Sequence, residues 1–281
     1  MSSRITSKKI ETEKKIRRKR WATGISISIF IILVTFFILL WIPAFRINSI
    51  EIKGAQSLFP SDISNFIEKK SKYRCGILPC NSRIILRPSN LEDMVTKEFK
   101  RISAVSIHYK KIQNVIITII ERSPRDIWCT ENESIAENCW YMDSTGYIFD
   151  KAPFFSDGVY MKWSGGVTTS TEPIGSTVET SFSFGDIDTL TNHLLETETI
   201  ITKINLVSEK HTELEIIRLF GYDVPLDSII IVNPELGVDE NINVLEILHN
   251  DIKFNTKLKN QSEQLKYLDI RFSDKIYYKF E

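Results

Sequence analysis

WATGISISIFIILVTFFILLWIPAF, residues 21–45, contains no charged side chain over 25 consecutive positions. At about 1.5 Å of rise per residue, a helix from Ala22 to Ile42 is roughly 31 Å long, which matches the hydrocarbon thickness of a bilayer. Trp21 and Trp41 then fall at the two membrane interfaces. The stretch predicts one transmembrane helix over residues 21–45, and this helix decides where the rest of the chain lies.

Residues 1–20 form a basic head in front of this stretch, with nine Lys and Arg against two Glu. Such a bias holds the N-terminus in the cytoplasm. A cleaved signal peptide would have a shorter apolar core and end in small residues, whereas this one ends in Trp41-Ile42-Pro43-Ala44-Phe45. We therefore predict an uncleaved signal anchor of a single-pass type II protein in the cytoplasmic (inner) membrane. The head is expected to set this orientation, and residues 46–281 are expected to be extracytoplasmic.

The exported part is acidic, because 27 Lys and Arg face 34 Asp and Glu beyond the head. The resulting net charge of about −7 argues against nucleic acid or another polyanion as a ligand. Its 236 residues suit one or two modest domains.

All four cysteines lie on the exported side, which favours disulfide bonds. Their C-x4-C and C-x9-C spacings are not those of a zinc ribbon, and no histidine lies nearby, so no metal site is expected. We predict Cys75–Cys80 and Cys129–Cys139 disulfides, although the spacing leaves the other two connectivities open. The first bridge would stiffen a long loop over Lys69–Pro88.

The first exported segment has the pattern of a small α+β unit. Phe45–Gly54 alternates like a strand, Ser61–Asp62 can cap a first helix, and the capping box Ser89-x-x-Glu92 predicts the start of a second. Alternating residues over Val105–Lys110 and an apolar run at Val115–Ile120 predict two further strands. The order β-α-α-β-β implies two helices on one face of a three-stranded sheet.

The second exported segment is mostly β. A hairpin begins at Ile127–Cys139, Asp143–Gly146 forms a turn, and Ser164–Gly185 has the composition of a surface loop or of weakly paired strands. The remaining pattern predicts helices at 186–198 and 240–250, and strands at 201–207, 213–220, 228–232 and 265–280.

Three motifs then follow one another: VIITIIERSPRDIW (Val115–Trp128), YMDSTGYIFD (Tyr141–Asp150) and YLDIRFSDKIYYK (Tyr267–Lys279). With the single anchor and the β-α-α-β-β unit, they resemble the FtsQ/DivIB family of bacterial cell-division proteins over nearly the whole chain. The resemblance implies an α+β chain with a POTRA domain at 46–125 and a mostly antiparallel β domain with short helices at 126–281. The paired cysteines and the long loop between the helices depart from the common family pattern.

The resemblance also implies a bitopic scaffold at the division septum, without enzymatic activity, cofactor or metal. Family members use the POTRA domain for recruitment to the division site. Their last strands bind a small coiled-coil membrane protein, FtsB (DivIC), which itself pairs with FtsL. FtsB/DivIC-like and FtsL-like proteins and other divisome components are therefore the expected partners. The family's contact region falls on the following residues here: Arg271, Phe272, Ser273, Asp274, Lys275, Ile276, Tyr277 and Tyr278.

The residues alone leave the role of this region open. Phe272, Ile276 and Tyr278 are expected on one strand face, which could be either core or interface, and Lys275 and Tyr277 are the alternative anchors.

Two further groups of motif residues have a purely structural interpretation. Arg271 and Asp269 could form a cross-strand pair. Glu121, Arg122 and Pro124 are expected to shape the link between the two domains.

The residues also bear on two other functional classes, an enzyme and a ligand sensor. The four histidines are scattered and no H-E-x-x-H, G-x-S-x-G or phosphate-binding loop is present, which does not favour an enzyme. Asp143 and Asp150 could form the carboxylate pair of an enzyme acting on wall glycans, but their hairpin spacing fits turn residues better. A single-pass ligand sensor is the third possibility, although the 20-residue head contains no recognisable output domain.

Overall fold

The computed structural model describes residues 4–41, 49–72, 74–75, 78–79, 88–110, 114–130, 138–155, 158–167, 172–260 and 264–281. The chain divides into two compact units, Met1–Glu121 and Arg122–Glu281. Helices and strands occur in both, so the predicted α+β class is confirmed.

The first helix, α1, runs from Arg4 to Trp41 without a break. Its segment Lys14–Ile38 is long and apolar enough to cross a membrane, and none of its most apolar window is buried against the rest of the chain. Residues 42–45 of the predicted anchor lie outside the described residues.

The rest of the first unit is a three-stranded sheet with two longer helices and a two-residue strand pair. Its elements are β1 (Ser49–Lys53), α2 (Pro60–Lys72), β2 (Arg74–Cys75), β3 (Leu78–Pro79), α3 (Pro88–Glu98), β4 (Ile102–Tyr109) and β5 (Asn114–Glu121). Central β5 pairs in parallel with β1 and antiparallel with β4. Helices α2 and α3 pack their apolar sides against one face of this sheet. The helices contribute Ile63, Ile67, Leu91 and Val95 to the buried core, and the strands contribute Ile107, Val115, Ile117 and Ile119.

Helices α2 and α3 begin one residue before the predicted caps, at Pro60 and Pro88. Proline is favoured in the first helical turn because its missing N–H would have no partner there. The predicted capping box at Ser89 is wrong, because Ser89 lies inside the helix and Glu92 Oε1 instead accepts the backbone N–H of Ile107 at 3.2 Å.

The second unit contains a nine-stranded mixed sheet in the order β14-β13-β12-β11-β10-β9-β6-β7-β8. Its strands are β6 (Asp126–Cys129), β7 (Cys139–Met142), β8 (Ile148–Lys151), β9 (Lys162–Gly165), β10 (Ile200–Ser208), β11 (His211–Leu219), β12 (Tyr222–Val232), β13 (Leu265–Phe272) and β14 (Lys275–Phe280). Strand β9 pairs in parallel with both β6 and β10, and β12 pairs in parallel with β13. The other five pairs in this part of the structure are antiparallel.

Three helices and a 3₁₀ turn at Pro234–Leu236 complete this unit: α4 (Phe184–Glu196), α5 (Val238–His249) and α6 (Ile252–Lys259). Their buried residues form one core with the inner face of the sheet, in which Trp163, Phe254 and Leu268 are fully buried. Helix α6 was not predicted from the sequence. It begins where the Asp251 side chain accepts the N–H of Phe254 at 2.8 Å.

The predicted Cys129–Cys139 disulfide is present and joins directly opposite residues of β6 and β7. The predicted Cys75–Cys80 bridge lies outside the described residues.

Candidate docking edge of the large sheet

Strand β14 forms one edge of the nine-stranded sheet, since β13 is its only strand partner in the described part of the chain. Just beyond it, Glu281 exchanges both backbone hydrogen bonds with Gln264, at 2.8 and 2.9 Å. Backbone groups alternate in direction along an antiparallel strand, so the N–H and C=O of Phe280 and Tyr278 point away from β13. The edge therefore offers donors and acceptors to an added strand.

The inner face of β14 packs onto helix α6. The ring of Tyr278 lies 5.1 Å and that of Phe280 5.7 Å from the ring of fully buried Phe254, between centroids. The Lys257 ammonium lies 5.8 and 5.6 Å from the same two rings. Ile276 is also partly buried against this core. Ile276 and Tyr278 therefore hold the edge strand in place from behind.

The outer face presents an exposed aromatic pair. Phe272 and Tyr277 are 44% and 48% exposed, and their ring centroids are 5.6 Å apart. The prediction that Phe272 shares a face with Ile276 and Tyr278 is wrong. Phe272 and Lys275 are opposite partners across a tight hairpin, so the alternation of sides does not continue from one strand to the next. Both alternative anchors, Lys275 and Tyr277, lie on the open face with Phe272.

Arg271 is held by its own strand. Its Nε and Nη2 donate to the two carboxylate oxygens of Asp269 at 2.9 and 2.7 Å, and its backbone N–H donates to Asp269 Oδ1 at 3.1 Å. The predicted cross-strand pair is therefore wrong, since the two residues are neighbours along one face of β13. Burial raises the pKa of Asp269, but the hydrogen bonds from Arg271 outweigh it and lower that pKa overall.

His211 on β11 also contacts Arg271. Arg271 Nη1 lies 3.4 Å from His211 Nδ1, and His211 Nε2 lies 2.9 Å from Glu213 Oε1. Because arginine only donates, Nδ1 must act as the acceptor in this contact. A row of directly opposite residues, polar except for Ile231, extends from here across the outer face of the sheet: Tyr277, Asp269, Ile231, Glu213, Asn205 and Ser164.

An open groove lies beside the turn between β13 and β14, and Ser273 of that turn lines it. Helix α5 and its C-cap residue Asn250 supply the rest of the lining: Glu240, Asn243, Val244, Glu246, Ile247 and Asn250. Ile247 is 65% exposed, and neither Glu240 nor Glu246 forms an ion pair with a described side chain. An apolar anchor between unpaired carboxylates suits a basic, partly apolar segment.

The ERSP motif fixes one chain segment within each unit. In the first unit, the Glu121 carboxylate accepts the backbone N–H groups of Gln56, Ser57 and Leu58 at 2.7, 3.0 and 3.1 Å. Arg101 Nε lies 3.4 Å from the same carboxylate. Burial raises the pKa of Glu121, but these hydrogen bonds outweigh it and lower the pKa overall.

Glu121→Gln is expected to destabilise the first unit by about 1–3 kcal/mol at neutral pH, because three backbone N–H groups lose a charged acceptor. A lowered folded pKa gives stability above the ordinary glutamate pKa, and this stability is lost as pH falls through the folded pKa. The difference from wild type should therefore vanish in acid. Hydrogen exchange at residues 56–58, compared between the two proteins at each pH, measures it. Glu51→Gln, at an exposed ion pair with Lys53, is the control, and an equal effect of both changes would contradict the prediction.

In the second unit, Arg122 and Asp143 fix the turn of the YMDSTG motif. Arg122 donates to Asp143, and its guanidinium carbon lies 4.0 Å from the ring centroid of Tyr147. Asp143 Oδ1 also accepts the N–H groups of Thr145 and Tyr147 at 2.8 and 3.1 Å. Gly146 has φ +79°, and a Cβ there would meet the ring of Phe184 at 2.2 Å. These contacts account for Asp143 and Gly146 as turn residues, the role predicted for them.

Asp143 does not have the properties of a glycosidase acid. Burial raises its pKa, but hydrogen bonds from Thr145, Arg122 and Tyr147 lower that pKa overall, whereas a general acid needs a raised pKa. Among the described residues, no group of three or more His, Cys, Asp or Glu is placed to hold a metal ion.

No protein-family model matches the chain, and no curated protein matches it. The resemblance to a known family therefore rests on the sequence motifs alone.

Proposed function

We propose that this protein is a membrane-anchored scaffold of the FtsQ/DivIB type, which links cell-division proteins at the septum. Helix α1 would span the inner membrane as a type II anchor. The segment 46–125, with its β-α-α-β-β order, would be the POTRA domain that takes part in recruitment. The β domain at 126–281 would bind the partner proteins. We assign no catalytic role to any residue.

The observation that carries this proposal is the free edge of β14. The residues that match the family's contact motif lie on β13, on β14 and on the turn between them. Main-chain hydrogen bonds from an added strand would supply affinity, and side chains on the open face would supply specificity. The exposed pair Phe272 and Tyr277 fits the second role, since aromatic residues dominate the energetics of many interfaces.

The surroundings of the edge also suggest the chemistry of the partner. An FtsB/DivIC-like segment would add one strand along β14 and extend past the turn towards α5. There a Lys or Arg side chain would pair with Glu240 or Glu246, and an apolar side chain would cover Ile247. Arg271 is already bonded to Asp269, so a partner carboxylate would reach it at Nη1, the side now facing His211.

Binding to the host's FtsB/DivIC-like protein tests this function. The full chain in lipid nanodiscs should bind the extracytoplasmic segment of that protein, with or without its FtsL-like companion, in a calorimetric titration. The double variant Phe272→Ala/Tyr277→Ala should weaken binding by roughly tenfold or more, as for the loss of two interface anchors.

The matched control is Phe154→Ala/Val159→Ala, two exposed residues on a different segment, which should bind like wild type. Wild-type protein that fails to bind even with the FtsL-like companion present would contradict the scaffold role. A ligand-sensing role would then become the leading alternative.

A further inference from the structure

Six cations surround α1 immediately before its uncharged stretch: Lys14, Lys15, Arg17, Arg18, Lys19 and Arg20. All six side chains are exposed, and none forms an ion pair with another side chain that the structure describes. We name this set the basic collar. Setting the orientation of the anchor requires only an excess of positive charge on one side, so six exposed cations in seven residues are available for a further role.

The collar encircles the helix. At about 100° per residue, its six side chains are distributed round the whole circumference with no gap wider than about 100°. A helix that lies flat on a membrane, or that docks one partner, carries its charges on one side. Cations on every side instead suit a helix that stands upright in surroundings that are the same in all directions.

The headgroup layer of a bilayer provides such surroundings at the right depth. Helix α1 is continuous from the collar into the apolar segment, and Arg20 directly precedes Trp21. With Trp21 at the interface, the collar occupies about 9 Å of helix next to the hydrocarbon. Charges in this zone lie within a Debye length of anionic headgroups, so salt screens their attraction only in part.

We propose that the basic collar binds anionic phospholipid headgroups and gathers a shell of acidic lipid around the anchor in the cytoplasmic leaflet. The phosphate groups would contact the Lys and Arg side chains on all sides of the helix. The proposal requires α1 to span the membrane but does not depend on partner docking at β14, so the two can fail separately.

Lipid selectivity of the full chain tests the proposal. The protein is reconstituted into phosphatidylcholine vesicles, and its association with spin-labelled phosphatidylglycerol is compared with that of spin-labelled phosphatidylcholine by electron paramagnetic resonance. Wild type should prefer the anionic lipid by about fivefold at low salt, the factor expected for one cation near a headgroup, and less at high salt. Lys14→Gln/Lys15→Gln/Arg17→Gln/Arg18→Gln, which keeps only Lys19 and Arg20 of the collar, should reduce this preference.

A charge-matched control neutralises four exposed lysines outside the anchor, Lys69, Lys97, Lys151 and Lys253, and should keep the preference. Equal selectivity in wild type and the collar variant would overturn the proposal. If that equal selectivity were accompanied by DNA-duplex binding in wild type and in the control, but not in the collar variant, the collar would instead bind nucleic acid.

Discussion

Replacing Tyr278 with proline is expected to abolish binding of the partner segment, whereas Tyr278→Ala should weaken it by much less. Both changes remove the ring that packs on Phe254. Only proline removes the N–H that points away from β13, and with it a main-chain bond to an added strand. We expect the proline variant to bind the partner segment more than about tenfold more weakly than the alanine variant. Calorimetry on the full chain in nanodiscs measures both affinities.

The paired design separates docking from folding. Proline is tolerated on edge strands where its nitrogen faces solvent, so the hydrogen bonds of β14 to β13 should survive. Hydrogen exchange of β13 in the two variants checks that they do. Equal affinities of the two variants, with β13 equally protected, would show that the partner does not extend the sheet at β14.

Replacing Trp163 with alanine is expected to destabilise the second unit by about 3–5 kcal/mol, the usual cost of emptying a fully buried aromatic site. Trp163 on β9 has no exposed surface, and its ring lies 5.5 Å from that of Phe184. Its Nε1–H donates to Asp126 at 3.2 Å. Burial raises the pKa of Asp126, despite the nearby Arg125, so the loss of this donor leaves a poorly solvated carboxyl group.

Urea unfolding of the full chain in detergent, followed by hydrogen exchange in strands β6 and β10, measures this effect. Trp163→Phe keeps most of the ring contacts and loses the hydrogen bond, so it should cost about 1–3 kcal/mol. An alanine variant no less stable than the phenylalanine variant would show that Trp163 is not central to this core.

Patterns that involve neighbouring residues predicted the fold well. The helical spacing of Ile63 and Ile67 placed both in the core, and the cysteine spacing predicted the Cys129–Cys139 bridge. Helix α6 escaped prediction because its eight residues bury only Phe254 and Leu258, which is too short a pattern to stand out. Strand β9 escaped because its four residues lie at the start of a Ser-, Thr- and Gly-rich stretch, and only its parallel neighbours define it.

In the candidate site too, features set by neighbouring residues were predicted and features set by tertiary pairing were not. The motif with Arg271 falls on strands, as its alternation predicted, but the orientation of Phe272 depends on a hairpin whose register the sequence does not specify. The contact of Arg271 with His211 joins residues 60 positions apart, through strands that are not neighbours in the sheet. A lone histidine on a polar strand face gave no signal of this role. The groove beside α5 depends in the same way on tertiary placement.

Strand β9 also determines the order in which the second unit can fold. It is the only link in the sheet between the block β6–β8 and the block β10–β14 within the described residues. Each block contains hairpins that close between near neighbours, whereas Lys162 must meet Ile127, 35 residues earlier, and Lys203, 41 residues later. Such distant closures are slow, and the parallel pairing of β12 with β13 joins Ile229 to Tyr267, 38 residues later, so we expect the parallel junctions to form after the hairpins. Until then, a newly made chain carries separate parts of the sheet with open edges, and during this interval it is most prone to aggregation.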